Sequence, residues 1–404
     1  MIYSNKISNI LSFFFVLAIV IPYFKILPVP SEIQPHAFLL ALILLIVWKK
    51  IKFTKEFYLL LFVAIVSISL LAMNTFTIVH IKEIYGYISF LIISIVSYNY
   101  FIRYGEIQYS FYRNILLAYL IVGLIQMFID PNFFHLFLAR EVGYDSFEGR
   151  GVESMTTEPT YYGLILLFIF ILIYNSFSIS SSNKIKLYIL IFISILFISK
   201  STTGLVGFFI FLFFHFLKIN LKNIIYLLLL TIILIGLIYI YNDEIQKMRV
   251  FYLLEHLYNG GLSALIKYDQ SSNDRLLHIF YSLKGFIDNS FLPNGYSSWN
   301  NYIQVQASLG DDVQYVSSKA NKIFPFLGTI LFELGILGFP IIFYIFYVLK
   351  KRFKNNEYIA HTVLFIFILF QALTIAYTFI PFIFSFFLYQ HKVLKSSSTK
   401  KGIY

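Results

Sequence analysis

Long apolar runs alternate with short polar breaks along nearly the whole chain. A helix needs roughly 20 mostly apolar residues to cross a hydrocarbon core. On that rule the pattern predicts spans at 8–27, 35–49, 56–73, 84–102, 114–130, 158–176, 184–199, 203–217, 223–241, 324–349, 358–373 and 374–390. Pro381, with the polar Gln371 and Thr374, favours two spans over one long helix across 358–390. Two segments interrupt the rhythm, 131–157 and 242–323. Structureless loops of that length are uncommon unless they are functional. Within the second, Arg275 to Leu292 repeats with a helical period. Leu276, Ile279, Phe280, Leu283, Phe286 and Ile287 fall on one face, and Arg275, His278, Ser282, Gly285 and Asn289 on the other. Ser271, Ser272, Asn273 and Asp274 suit a helix cap, and Pro293-Asn294-Gly295 suits a stop. The expectation is an amphipathic helix lying on the membrane surface, its basic stripe turned towards a cavity. The fold class is therefore an all-α polytopic membrane protein, one integral membrane domain over 1–404 with about twelve transmembrane helices.

Composition sharpens this picture. Hydrophobic residues make up 59% of the 404 and charged residues 13%, against roughly 25% charged in a soluble domain. Mean hydropathy is +0.78. Too little polar surface remains to coat a soluble enzyme, a nucleic-acid binder or a disordered chain. The net charge of +11 is explained by its placement. With both termini cytoplasmic, 19 of the 31 Lys and Arg fall on the cytoplasmic side, and every inside loop exceeds its outer neighbours. The charge thus reports topology and contact with anionic membrane lipid. Both long loops then face outward. The absence of Cys removes disulfides, thiolate metal sites and Cys nucleophiles. The first apolar run has no small-residue cleavage site and reads as a retained span.

Four stretches carry candidate chemistry. Arg140 to Tyr162 packs two Arg and five acids at the outer mouth of the sixth span. Arg140 and Arg150 can grip phosphate oxygens with bidentate guanidinium forks. Glu158 stands where the helix begins, followed by Pro159 at a first-turn position; it is either a site acid or a residue stabilised by the helix dipole. Ser199-Lys200-Ser201-Thr202-Thr203-Gly204 is a tight outer hairpin, either a helix cap with Lys200 snorkelling or a source of another cation. Arg275 and His278 lie one turn apart on one face. Glu333, in Phe332-Glu333-Leu334-Gly335-Ile336-Leu337-Gly338, sits roughly 13 Å along its span, where it should be paired or protonated. Gly335 and Gly338 permit close helix approach. No zinc-protease, Walker or serine-hydrolase motif occurs.

Taken in this order, the four stretches resemble the O-antigen polymerase (Wzy) family, within the polymerase and ligase superfamily of bacterial surface polysaccharides. The residues that carry the resemblance are Arg150, Ser154 and Glu158-Pro159; the Ser199–Gly204 hairpin; Arg275 and Pro293-Asn294-Gly295; and Glu333-Leu334-Gly335-Ile336-Leu337-Gly338. Arg140 to Gly151 has the Arg-x10-Gly spacing described for such polymerases. Arg275 to Gly285 is one residue short of it. The related ligases carry a His nine residues before the Glu, where this chain has Phe324, a departure that argues against ligase.

The resemblance implies a GT-C-type glycosyltransferase in the bacterial cytoplasmic (inner) membrane. It would join undecaprenyl-diphosphate-linked oligosaccharides at the outer face, by attack of an acceptor sugar hydroxyl on the donor anomeric carbon, inverting and metal-independent. Arg140, Arg150, Arg275 and Lys200 would stabilise the departing diphosphate. Glu158 would serve as base or as an Arg-orienting partner, with His278 as an alternative base. Tyr161 and Tyr162 are candidates to stack on sugar, or belong to an interfacial belt; Glu333 is a candidate substrate contact. No cofactor is implied. The partners are the lipid-linked donor and acceptor and, as a further candidate, a polysaccharide chain-length regulator; nucleic acid is not one. The rivals are O-antigen ligase and a lipid-linked oligosaccharide flippase, which charges crowded on one side disfavour.

Overall fold

In the computed structural model, residues 2–25, 34–72, 78–138, 151–216, 255–261, 270–309, 323–371 and 375–401 are described. Helices occupy every proposed span except 223–241, which lies outside the described residues. They are α1 (Ile2–Val20), α2 (His36–Val47), α3 (Phe57–Ala72), α4 (Ile78–Tyr104), α5 (Tyr109–Phe128), α6 (Pro159–Asn175), α7 (Ser181–Ile193), α8 (Thr202–Phe216), α9 (Gln270–Asp288), α10 (Trp299–Ser308), α11 (Phe326–Leu334), α12 (Phe339–Arg352), α13 (Asn355–Gln371) and α14 (Ala376–Lys401). Among the described residues, four segments are long and apolar enough to cross a membrane: Ile84–Tyr104, Tyr109–Phe128, Ser181–Ser199 and Phe326–Arg352. Among the described residues no strand forms, only an isolated bridge between Phe24 and Leu138.

The core follows from which helices are apolar all round. Every residue of α6 from Tyr162 to Ile173 is buried, and α14 is buried almost continuously from Ala376 to Leu388. A helix with no polar face has to be enclosed. α4 packs along α14, where Ser385 Oγ donates to the Ser94 carbonyl at 2.7 Å. Around them the outer helices turn Phe13, Ile46, Phe62, Ile65, Ile189 and Phe197 outward. Ile46 keeps 84% of its surface open, a perimeter suited to hydrocarbon rather than water.

Two helix ends differ from expectation. The first helix stops at Val20, ahead of Pro22, instead of reaching residue 27. The span 324–349 is broken: Gly335 adopts φ +56° and a tight turn over Gly335–Gly338 separates α11 from α12. Gln371 ends α13 and α14 starts at Ala376, so Pro381 falls inside α14.

Polar ties gather at the two ends of the bundle. At one end, Trp48 Nε1 donates to Ser8 Oγ at 2.8 Å, and Asn99 exchanges hydrogen bonds with the Lys52 backbone. Lys351 Nζ meets Glu56 Oε1 at 2.5 Å, the Glu56 side chain 3% exposed and that of Lys351 26%. Lys351→Met strands this carboxylate and is expected to cost about 2 kcal/mol, below the ~3–5 of a fully buried pair because Lys351 is part exposed. Glu56→Gln added to Lys351→Met should restore much of the loss in thermal unfolding. A double variant no more stable than the single one would mean that the stranded charge is not the cause.

Candidate functional site

The opposite end carries the N-termini of α6, α8 and α11, and the four sequence stretches meet there in succession. Segment 151–158 is clamped before it enters α6. Ser154 takes φ +56°, its N–H donates to Gln126 Oε1 at 2.6 Å, and its hydroxyl donates to the Tyr119 carbonyl at 2.6 Å. Gln126 returns bonds to the carbonyls of Ser154 and Phe133. The last turn of the seventh span, Ser194–Ser199, is a π-helical turn. Such turns interrupt the regular ladder, and the Ile198 carbonyl here accepts the Val152 N–H at 2.9 Å.

Glu158 occupies the cap position of α6, half-buried, with Pro159 following. Its carboxylate does not bond the first-turn amides, so it is not consumed as a cap. Tyr161 stacks on Tyr23 at 5.5 Å. Tyr162 is fully buried and stacks on Tyr119 at 5.3 Å. This corrects the expectation of a sugar-facing Tyr162: both faces of α6 are enclosed, and its ring has no open side. Nearby, burial holds the His135 imidazole below its ordinary pKa against the pull of Asp130. Its Nε2 lies 3.4 Å from the Glu153 carboxylate.

The hairpin 199–204 serves as a cap and also reaches a neighbour. Lys200 takes φ +44° between the π turn and α8, and remains half-exposed. Ser201 Oγ accepts the Gly204 N–H at 3.2 Å, a regular N-cap. Gly204 and Gly163 let α8 and α6 touch backbone to backbone. A Cβ added to Gly204 would lie 3.0 Å from the Gly163 Cα. One residue away, Thr203 Oγ1 accepts a bond from Arg275 Nη1 at 3.2 Å, joining the second stretch to the third.

α9 starts at Gln270, so Ser271–Asp274 form its first turn rather than its cap. Instead of lying on the membrane surface as expected, it packs against α11. His278 meets Phe324, Ser282 meets Gly328 and Gly285 meets Phe332, so α9 runs beside α11 in the same direction. The physical reason is complementarity: small Ser282 and Gly285 admit the facing helix, while the polar face finds partners there. The face assignment holds in part: Leu276, Phe280, Leu283 and Ile287 are exposed and His278, Ser282 and Gly285 buried, but Ile279 is half-buried and Phe286 turns inward against Phe339.

His278 is fully buried between Trp299 and Phe324, with ring centroids at 5.1 and 5.0 Å. Its Nδ1 accepts the Phe324 N–H at 3.2 Å. That fixes the proton of the neutral ring on Nε2 and gives His278 a structural task. Enclosure by two aromatic rings argues against its expected role as an exposed base.

After α9, Asn294 and Gly295 donate backbone N–H groups to the carbonyls of Phe332 and Glu333 at 3.0 and 3.2 Å. Gly335 is required where this turn presses in: a Cβ there would lie 2.5 Å from the Phe291 carbonyl oxygen. The close approach permitted by Gly335 is thus that of a loop rather than a helix. Half-buried Glu333 accepts the Tyr87 hydroxyl at 2.8 Å from α4, and Tyr377 packs edge-on against Tyr87.

Contacts therefore run α6–α8–α9–α11, bringing Glu158, Lys200, Arg275, His278 and Glu333 onto successive neighbouring elements. Arg140 and Arg150 lie outside the described residues. Sequence reasoning missed Tyr87 and gave Thr203 no role. A hydroxyl within an apolar span was the available signal for Tyr87, but its partner is 246 residues away. No group of three or more His, Asp or Glu suited to a metal ion occurs among the described residues.

The chain is thus a helical protein with several helices fit to cross a membrane. Compared with known proteins, it matches no family model and no curated sequence.

Proposed function

We propose that this protein is a polymerase of lipid-linked oligosaccharides in the bacterial cytoplasmic membrane. Its twelve spans have a GT-C-type arrangement, both termini are cytoplasmic, and the end bearing Glu158, Lys200 and Arg275 faces outward. The observation that carries the reading is the Arg275–Thr203 hydrogen bond, which ties the cation-bearing helix α9 to the hairpin that holds Lys200. Two cation-bearing stretches far apart in sequence thereby become neighbours.

In the proposed reaction the donor chain is held through its undecaprenyl diphosphate. An acceptor sugar hydroxyl attacks the donor anomeric carbon, the new glycosidic bond forms as the carbon–phosphate-oxygen bond breaks, and undecaprenyl diphosphate leaves. Arg275 and Lys200, with Arg140 and Arg150, offset the charge that grows on the leaving diphosphate. Glu158, placed at the start of α6, takes the proton of the attacking hydroxyl or orients an arginine. The outward apolar face of α9 supports the same reading, since it offers a lipid tail a surface beside Arg275.

Purified protein given a synthetic lipid-diphosphate repeat unit is expected to yield a ladder of longer chains. Movement of that lipid across vesicles without any new glycosidic bond would instead identify a flippase. Because the chain lacks Cys, single replacements report topology without background. Lys200→Cys should react with an impermeant maleimide in intact cells stripped of outer wall, and Lys354→Cys only after permeabilisation.

A further inference from the structure

A polar pocket lies at the end of the bundle away from Arg275, where α6 and α12 finish and α7 and α13 begin. Its volume is about 300 Å³ and its walls include Tyr174, Phe177, Lys184, Tyr188, Arg352 and Glu357. The size falls at the lower end for small-molecule sites. None of these residues belongs to the proposed glycosyl-transfer site.

The pocket rests on a closed network. Glu106 Oε2 accepts the Ser176 hydroxyl and the N–H groups of Phe177 and Ser178, at 2.7, 2.7 and 2.9 Å, and Oε1 accepts Gln390 Nε2 at 2.9 Å. Both oxygens are thus held by neutral donors, so the Glu106 carboxylate acts on Arg352 and Lys184 from behind the pocket without pairing directly with either. His361 bonds the Glu357 carbonyl through Nδ1 and Asn175 through Nε2, so it is held as the neutral Nδ1–H tautomer.

Arg352 is held in place while its outer nitrogens are left unused. Nε donates to Gln390 Oε1 at 3.1 Å. The guanidinium carbon lies 5.3 Å from the Phe177 ring centre and 4.8 Å from that of Phe353. Among the described residues no hydrogen bond reaches its Nη atoms and no carboxylate comes within ion-pair distance. Half-buried Lys184 spends one donor on the Tyr174 carbonyl at 2.9 Å and keeps the rest. Two preorganised cations therefore line one pocket, with exposed Glu357 at the rim and the hydrogen-bonded Glu106 carboxylate behind it, and their remaining donors point to no protein acceptor among the described residues. A guanidinium with two free nitrogens matches two phosphate oxygens.

The surface leading away from the pocket selects among phosphate-bearing ligands. Beside the pocket residues Lys184 and Tyr188, Ile185, Ile189, Ile193 and Phe197 form an exposed stripe at four-residue spacing along the seventh span. Phe177 at the pocket edge is 55% exposed. A soluble anion has no use for that stripe, whereas an acyl chain can lie along it. We propose that this pocket binds the headgroup of an anionic phospholipid, with the phosphate between Arg352 and Lys184 and an acyl chain along α7. The pocket's geometry does not depend on the glycosyl-transfer reading, so either can fail without the other.

The test is thermal unfolding of the full chain in neutral detergent, titrated with short-chain phosphatidylglycerol. Wild type should be stabilised with saturation, as expected of a ligand that binds the native state, and matched phosphatidylcholine should do markedly less. Lys184→Met should raise the half-saturating concentration about fivefold, and Arg352→Met by a similar factor, on a scale of about one surface charge each. Lys350→Met, exposed at the same end, is the control and should stay within about twofold. Should Arg352→Met fail to fold, Lys184→Met and Arg352→Lys carry the test. Equal stabilisation by phosphatidylcholine, or an unshifted titration in Lys184→Met, would overturn the proposal. Inorganic phosphate producing the full shift alone would overturn the lipid assignment.

Discussion

Arg275→Ala is expected to lower chain elongation by about 10²- to 10³-fold, the usual cost of removing one preorganised donor from a developing anion. Arg275 is half-buried on α9, with its guanidinium against Thr203 of α8. It is therefore aimed before substrate arrives, and no reorganisation is needed when the diphosphate departs. Arg275→Lys keeps the charge but loses the fork, and should recover only part of the rate. Thr203→Val removes one charge-assisted hydrogen bond and should cost no more than about a hundredfold, since such a bond is worth roughly 1.5–3 kcal/mol. The measurement is turnover of a lipid-diphosphate repeat unit by each purified variant, with thermal unfolding as a check on folding. Wild-type turnover by Arg275→Ala would take diphosphate stabilisation away from this residue, and with it the main support for the polymerase reading.

Much of the helical framework can be read from the chain because apolar runs and helix termini are local properties. Pro159 at the start of α6 and Ser201 ahead of α8 act within a single turn, so pattern alone locates them. The amphipathic split of α9 is local too, and most of it turns out as expected, Phe286 excepted. What covers the polar face is not local. The same pattern suits a helix on a membrane surface and a helix pressed against α11. The choice depends on Gly285 meeting Phe332 and Ser282 meeting Gly328. Glu333 illustrates the same limit: its depth demands a partner, but nothing near it in sequence names Tyr87. The burial of Tyr162 and His278 also arises from neighbours supplied by distant segments, Tyr119 and Trp299.

A large effect on stability is expected at Gly163, where α6 meets α8. A Cβ at Gly163 would lie 2.3 Å from Ser201 Oγ, 2.5 Å from Ser201 Cβ and 3.3 Å from the Gly204 Cα. The hydroxyl cannot simply rotate away, because it accepts the Gly204 N–H that caps α8. Gly163→Ala therefore forfeits a cap worth about 1 kcal/mol and adds overpacking of about 1–3 kcal/mol. A total near 3 kcal/mol follows on those scales, and Gly163→Val should exceed it because α8 itself has to move. Ser201→Gly removes both atoms that clash most closely, so pairing it with Gly163→Ala should cost less than the sum of the two single changes. That favourable coupling, read from thermal unfolding in detergent, separates steric contact from a general intolerance of side chains within α6. Strictly additive costs would mean that residues 163 and 201 do not touch. The same displacement would carry Thr203 away from Arg275, so elongation in Gly163→Val should fall together with stability, whereas Arg275→Ala should lose activity with its fold intact.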